Sequence, residues 1–355
     1  MSKKRSFFSK NLITWYLQNK RDLPWRNTSD PYRIWLSEIM LQQTRVAQGL
    51  PYYLTFVTSF PTVEDLAKAS EEKVLKLWQG LGYYSRARNL HFTAKYVANE
   101  LSGSFPNSYK ELLRLKGVGD YTASAIASIC YAEPAAVVDG NVYRVLSRVF
   151  GVETPINSTA GVKEFKELAQ ALIDHSQPGV FNQAIMEFGA RYCVPQNPNC
   201  SVCIFNDNCV ALQRQKVGSL PVKPKKQKVR IRYFNYLVFV SEDNSTILKQ
   251  RLEKGIWQHL YEFPLIETER LATLKDLQTE EVFQDASKEH PIEDMILYNE
   301  LPIIHKLSHQ HLHTRFWIVE TSARTAEAIP IKKLEDYAVP VLIQNFISEF
   351  SRFKN

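Results

Sequence analysis

From about residue 7 to residue 215 the apolar positions recur at intervals of three and four, the spacing that lines one face of a helix. Phe8, Leu12, Trp15 and Tyr16 form one such set, and Leu66, Val74, Leu77 and Trp78 another. Leu112 and Leu115, then Ala123, Ile126 and Ala127, mark two more. Prolines at 24, 31, 61, 106, 134, 155, 178 and 195 interrupt the pattern, which predicts many helices joined by short connections. Near Gly218 the pattern stops. Lys223-Pro-Lys-Lys-Gln-Lys-Val-Arg-Ile-Arg232 holds six basic residues in ten and no acid, and with Pro221 and Pro224 it reads as a linker over 217–232. Such a linker is either a solvated tether or a tether that crosses a phosphate backbone. Beyond it the apolar period changes to two. Tyr236–Val240 and Thr246–Gln250 flank Glu242–Ser245 as a predicted hairpin, Phe316–Val319 reads as a further strand, and Leu334–Phe350 as a closing helix. The chain is therefore expected to hold a mainly α region over 1–216 and an α+β domain over 233–355.

Composition adds a partner class. Hydrophobic residues make up 45% of 355 and charged residues 23%, enough apolar material for two cores. The net charge of +7 suits a polyanion such as nucleic acid, as a steering argument only. No run approaches the ~18 apolar residues of a membrane span, and the first residues show no signal-peptide pattern. The expectation is a soluble, intracellular protein with no membrane partner. Thiols are reduced there, so clustered cysteines point to metal.

Four of the five cysteines are clustered, as Cys193-x6-Cys200-x2-Cys203-x5-Cys209. Pro195, Asn197, Pro198 and Asn199 favour a loop that closes round one site. Zinc takes four cysteines, but zinc ribbons commonly pair two x2 spacings and this run has one; an iron-sulfur cluster takes four thiolates equally well. Spacing leaves both open. The fifth, Cys130, lies on an apolar helical face and reads as core.

Between two helical patterns, Leu115-Lys-Gly117-Val-Gly119-Asp-Tyr-Thr-Ala123 makes a glycine turn. Glycines permit positive φ, and the amides at the next helix start can take a phosphate. This is a helix-hairpin-helix signature. Twenty residues after Gly119 stands Asp139, in Val137-Val-Asp-Gly-Asn141, either a helix N-cap or a working carboxylate. Glu38, in Trp35-Leu-Ser-Glu-Ile-Met-Leu-Gln-Gln-Thr44, lies in an apolar helical stretch, either turned to solvent or buried for a purpose. Two carboxyls serve glycosidic cleavage well: a protonated one donates to the leaving group and an ionised one steadies the cationic sugar.

These residues, with Leu23-Pro-Trp-Arg26, Gly80–Leu90, Met186-Glu-Phe-Gly189 and the cysteine spacing, resemble over nearly the whole chain the MutY-type adenine DNA glycosylases of the endonuclease III superfamily. The resemblance implies a helix-hairpin-helix fold with one 4Fe-4S cluster on the four cysteines, and a Nudix-like C-terminal domain. It implies that Glu38 protonates adenine, that Asp139 stabilises or captures the sugar cation, and that Tyr121 and Asn141 support that carboxylate. Trp25, Arg26 and Glu187 would line the adenine pocket, Gln43 and Tyr83 would wedge into the base stack, and Gly117 and Gly119 would meet the backbone. Ser308 and His309 would contact 8-oxoguanine, with Leu307 where many members carry Phe. Tyr84 reads as core, and Tyr143 is given no role.

Where endonuclease III carries a lysine, this chain has Tyr121, which cannot form a Schiff base; the implied enzyme is monofunctional. No metal-binding Glu-rich box follows Leu260, so pyrophosphohydrolase activity is not expected. A bifunctional lyase is disfavoured by Tyr121 and a non-catalytic DNA binder by the two carboxyls. The expected partner is double-stranded DNA carrying adenine opposite 8-oxoguanine, met by a monomer in the cytoplasm of a bacterial cell, at the nucleoid.

Overall fold

The computed structural model describes residues 2–223, 229–322 and 328–354. The chain forms two compact units, Met1–Lys68 with Asn89–Lys225, and Ala69–Arg88 with Lys226–Asn355. Of the stretch read as a basic linker, residues 224–228 lie outside the described residues.

The helices run in the order α1 (Ser2–Asn19), α2 (Pro31–Leu41), α3 (Val46–Ser59), α4 (Val63–Lys68), α5 (Glu71–Trp78) and α6 (Ser85–Glu100). They continue with α7 (Tyr109–Leu112), α8 (Asp120–Tyr131), α9 (Gly140–Phe150), α10 (Thr159–Leu172), α11 (Pro178–Arg191) and α12 (Val210–Gln213). Pro31 and Pro178 do not break helices but open them, in first-turn positions that lack a bonded N–H anyway. Asp30 caps α2 and Ser158 caps α10 through their side chains. Every residue of α2 from Ile34 to Met40 is buried, Glu38 included. The core of the first unit gathers Phe8, Leu12 and Trp15 of α1, Val142, Val145 and Leu146 of α9, and Phe165, Phe181 and Phe188. Cys130, read as core, is only partly buried.

The second unit is built on a mixed sheet. Its strands are β1 (Arg230–Ser241), β2 (Ser245–Thr246), β3 (Lys249–Gln250), β4 (Tyr261–Glu262), β5 (Leu265–Thr268), β6 (Asp294–Leu297), β7 (Ile303–Lys306), β8 (Gln310–Thr321) and β9 (Ile329–Pro330). The main sheet runs β5-β1-β8-β6, with β7 also on β8; β1 and β8 are parallel. Three expectations need correction. The predicted hairpin does not form: the turn at Ser241–Asn244 is present, but β2 pairs with β9 and β3 with β4, while β1 takes β5 and β8. Nor is β1 apolar on one face only. Phe234 to Ser241 is buried throughout, because Leu237 and Phe239 join Leu277 and Phe283 on one side while Phe316, stacked on Tyr236, meets Phe346 on the other. The closing helix starts at Val341, since Pro340 cannot lie inside it; residues 331–336 form a separate 3-10 turn. This helix, α15 (Val341–Glu349), completes one layer, and α13 (Leu274–Gln278) with α14 (Glu281–Glu289) the other.

Phe346 stacks on Phe316 with centroids 4.1 Å apart and planes 9° apart. Replacing it with alanine removes the anchor of α15, and we expect a loss of about 3–5 kcal/mol, read as a lower melting temperature of the second unit by thermal denaturation.

Candidate active site

One cavity in the first unit is lined by Glu38, Tyr121, Asp139, Asn141, Trp25, Arg26 and Glu187. Ile34, Leu41, Val46 and Ile129 supply apolar wall. Glu38 is 7% exposed. Burial pushes its carboxyl up to about 7, against the Tyr121 hydroxyl bond and Arg26, and the neighbouring Asp139 charge adds to the rise. Tyr121 feels both carboxyls, Glu38 more than Asp139, and its oxygen lies 3.1 Å from Sδ of Met186. Burial raises this phenol well above its ordinary value.

Asp139 is the helix N-cap its sequence context allowed. It caps α9, with Oδ1 accepting from the amides of Asn141 (2.9 Å) and Val142 (2.8 Å), and it faces the cavity. Its Oδ2 accepts from Asn141 Nδ2 at 2.8 Å. Burial raises its pKa, and these three donors oppose the rise. Asn141 in turn accepts from Arg144 Nη2 (2.8 Å), and Arg144 Nε donates to the carbonyl of Cys193 (2.7 Å). A continuous chain of bonds thus runs from Asp139 to the first cysteine.

Glu187 is a buried carboxylate of the opposite kind. Oε1 accepts from Arg21 N and Nε, and Oε2 from Arg21 Nη2 and Arg26 Nη2, so the four acceptor positions are taken. Burial opposes its ionisation, but the two guanidiniums outweigh burial and hold the carboxyl down to about 2. Trp25 meets Tyr53 edge to face.

At the hairpin, Gly117 has φ of +81°, and an added Cβ would stand 2.9 Å from Cβ of Asn89. Thr93 donates to the carbonyl of Lys116, bracing the turn, and Gly119 starts α8. Gln43 is exposed in the left-handed region at φ +55°, beside Gln42, which donates to Thr122. Such backbone is costly for a side-chain-bearing residue and marks a held conformation.

Cys193, Cys200, Cys203 and Cys209 line one further hollow with Phe188, Phe205, Leu212, Arg148, Asn199 and Asn206. Among the described residues no three His, Cys, Asp or Glu side chains gather as a single metal ion would need. Four thiols round one hollow are a donor set that an iron-sulfur cluster takes. Burial pushes the Cys203 thiol up to about 11, with the Phe205 amide opposing the rise. Arg148 donates to Val194 O and Pro195 O and lies 3.4 Å from Sγ of Cys193.

In the second unit the structure brings Tyr83 and Ser308 together, with hydroxyl oxygens 2.5 Å apart. Tyr83 is 47% exposed at φ +48°, and Arg86 lies over its ring. Ser308 and His309 form the exposed tip between β7 and β8, closed by Leu307 N to Gln310 O. Tyr84 is core, and Tyr143 packs on Phe165.

Sequence reading missed Arg21, Arg144 and Gln183, the last of which lines the cavity. Arg21 and Arg144 lie three positions from Pro24 and Asn141, within or beside quoted motifs, but nothing local says which carboxylate or carbonyl they meet.

The profile of HhH-GPD superfamily base excision DNA repair proteins matches residues 36–175, and that of the NUDIX domain residues 235–349. An adenine DNA glycosylase from Buchnera aphidicola subsp. Schizaphis graminum is 30% identical over 352 residues, covering 97% of this chain and 98% of its own length. The Mus musculus and Homo sapiens adenine DNA glycosylases are 47% and 48% identical over 226 and 216 residues, and the chain spans only 44% and 40% of their lengths. Among solved structures, a thermostable thymine-DNA glycosylase superposes with a TM-score of 0.56 at 33% identity, covering 60% of this chain and 98% of that one. A trapped endonuclease III–DNA covalent intermediate superposes at 0.53 with 19% identity, a likeness of fold.

Gly189 of α11 touches the first turn of α9: an added Cβ would lie 2.7 Å from Cβ and 2.9 Å from the carbonyl oxygen of Asn141. Gly189→Ala should push the helices apart and cost about 1–3 kcal/mol, seen as a lower melting temperature. An unchanged melting temperature would show that α9 has room to move.

Proposed function

We propose that this chain, which belongs to the adenine DNA glycosylase family, removes adenine from duplex DNA by hydrolysing its N-glycosidic bond, as a step of base excision repair. The observation that carries the reading is the pair of unlike carboxyls in one cavity: Glu38, which holds its proton up to about pH 7, and Asp139, held by three donors. A base turned out of the stack enters the cavity between them. Glu38 gives its proton to the departing adenine, and the Asp139 carboxylate faces the sugar as positive charge develops there. Tyr121 keeps the Glu38 carboxyl in place but offers no amine, so water completes the reaction and the strand stays intact. Glu187 contributes by fixing Arg21 and Arg26 at the cavity wall.

Adenine opposite 8-oxoguanine is the substrate we favour. The support is the Ser308–His309 tip on a NUDIX-type unit, in hydrogen-bond contact with the exposed Tyr83, which suits a wedge beside a lesion reader. Gln43, Gly117 and Gly119 would meet the duplex from the other unit. The four cysteines would hold a 4Fe-4S cluster, which when bound supplies a charged, rigid brace for their loop. Arg144 and Arg148 tie that loop to α9. No helix among the described residues is long and apolar enough to cross a membrane. A monomer working on nucleoid DNA in the cytoplasm of a bacterial cell completes the proposal.

The test is a duplex with one adenine opposite 8-oxoguanine, assayed for free adenine and for strand breaks with and without alkali. Adenine release with breaks only after alkali is expected; no release defeats the proposal. Glu38→Gln should abolish release while duplex binding persists. The wild-type rate should fall as pH rises through about 7, as Glu38 loses its proton. Because this pKa is raised above the ordinary value of about 4.5, the stability the neutral carboxyl contributes is full below about 4.5 and lost through about 7. A flat profile between pH 6 and 8.5 would assign the acid elsewhere. Ser308→Ala should cut the preference for 8-oxoguanine over guanine by roughly tenfold, the worth of one hydrogen bond, in a competition assay.

A further inference from the structure

The segment from Ala132 to Asp139 has no regular structure, yet Ala135, Ala136 and Val137 within it are buried. Its backbone groups are answered by side chains from two helices. Gln170 of α10 accepts from Ala136 N at 3.0 Å and donates to Pro134 O at 2.6 Å. Asn182 of α11, fully buried, accepts from Val137 N at 3.1 Å and donates to Ala135 O at 2.8 Å. Lys166 of α10 donates to Ala136 O at 2.7 Å. The strap so held ends at Asp139.

Lys166 also reaches the hairpin. Its remaining donors go to Oδ2 of Asp120 (2.9 Å) and Oγ of Ser124 (3.0 Å), so all three ammonium hydrogens are used. Asp120 is the first residue of α8, directly after Gly119, and its other oxygen accepts from the Tyr109 hydroxyl at 2.5 Å. The amide of Tyr109 donates to Oε2 of Glu133 at 2.7 Å, at the head of the strap. A closed ring of bonds therefore joins both helices of the hairpin to the strap. A half-exposed carboxylate beside amides suited to a phosphate needs a cation, and the cation it has also grips the strap.

We infer that Lys166 is a positioning residue for base excision: it ties the hairpin to the strap that delivers Asp139. The inference rests on the reading that Asp139 acts on the sugar. A small displacement of a reacting group costs rate rather than binding, so the effect belongs in the chemical step.

Two measurements separate the roles: the single-turnover rate of adenine release at saturating duplex, and the Kd for a duplex whose target adenosine carries a 2′-fluoro group that blocks hydrolysis. In Lys166→Met the rate should fall by about tenfold or more while Kd stays within about threefold, and Lys166→Arg should recover part of the rate. An unchanged saturated rate in folded Lys166→Met, or a loss wholly due to Kd, overturns the inference. If circular dichroism shows Lys166→Met unfolded, Lys166→Gln, which loses the charge and most of these donors but keeps a polar tip, is judged by the same two criteria. A wild-type protein that releases no adenine defeats the proposed function; an active wild type with an equally active variant defeats only this inference.

Discussion

At the first turn of α9 a single carboxylate meets three donors, and much of the first unit is arranged round that fact. A helix start leaves amides without partners, and an acceptor placed there is held in one orientation. Asp139 uses that need to gain rigidity while remaining open to the cavity. Its neighbours extend the constraint: Asn141 passes it to Arg144, Arg144 to the cysteine loop, and Gly189 lets α11 come close enough to hold Asn141 from behind. A helix cap and a cavity-facing carboxylate are the same group here, and the cap fixes the orientation in which the cavity meets it.

Glu38 and Glu187 line the same cavity, both buried, with opposite electrostatics. Among the described residues Glu38 has no ion pair, so the cost of burying charge favours its neutral form. Glu187 has two guanidiniums within 2.6 Å and stays ionised. Burial alone does not decide which carboxyl carries a proton; the partners do.

Much of this was legible in the sequence, for local reasons. Helical periodicity, the Gly117 turn and the four cysteines each depend on residues near one another in the chain. Both readings of Asp139 were visible; the structure shows the cap and places the carboxylate at the cavity wall. What escaped depends on distant pairs. Arg21 meets Glu187 across 166 residues, and β1 lies beside β8, so an apolar run that looks one-sided is covered on both faces. The hairpin after Ser241 failed for the same reason: its turn residues are right, but the partner strands come from elsewhere. The cradle of Lys166, Gln170 and Asn182 has no sequence mark, since polar residues on helix faces usually look to water.

The segment Ala69–Arg88 groups with the C-terminal unit although it lies within the helical part of the chain. Its ties there are polar: Glu71 to His259, Lys76 to the carbonyl of Tyr337, Gln79 to Val339 and Arg88 to Gln258. Groups of this kind can trade a protein partner for water at little cost, which buried apolar side chains cannot. The same segment also buries Val74, Leu75, Trp78 and Leu81, so it carries both kinds of contact, and its place in the chain alone does not tell which unit it joins.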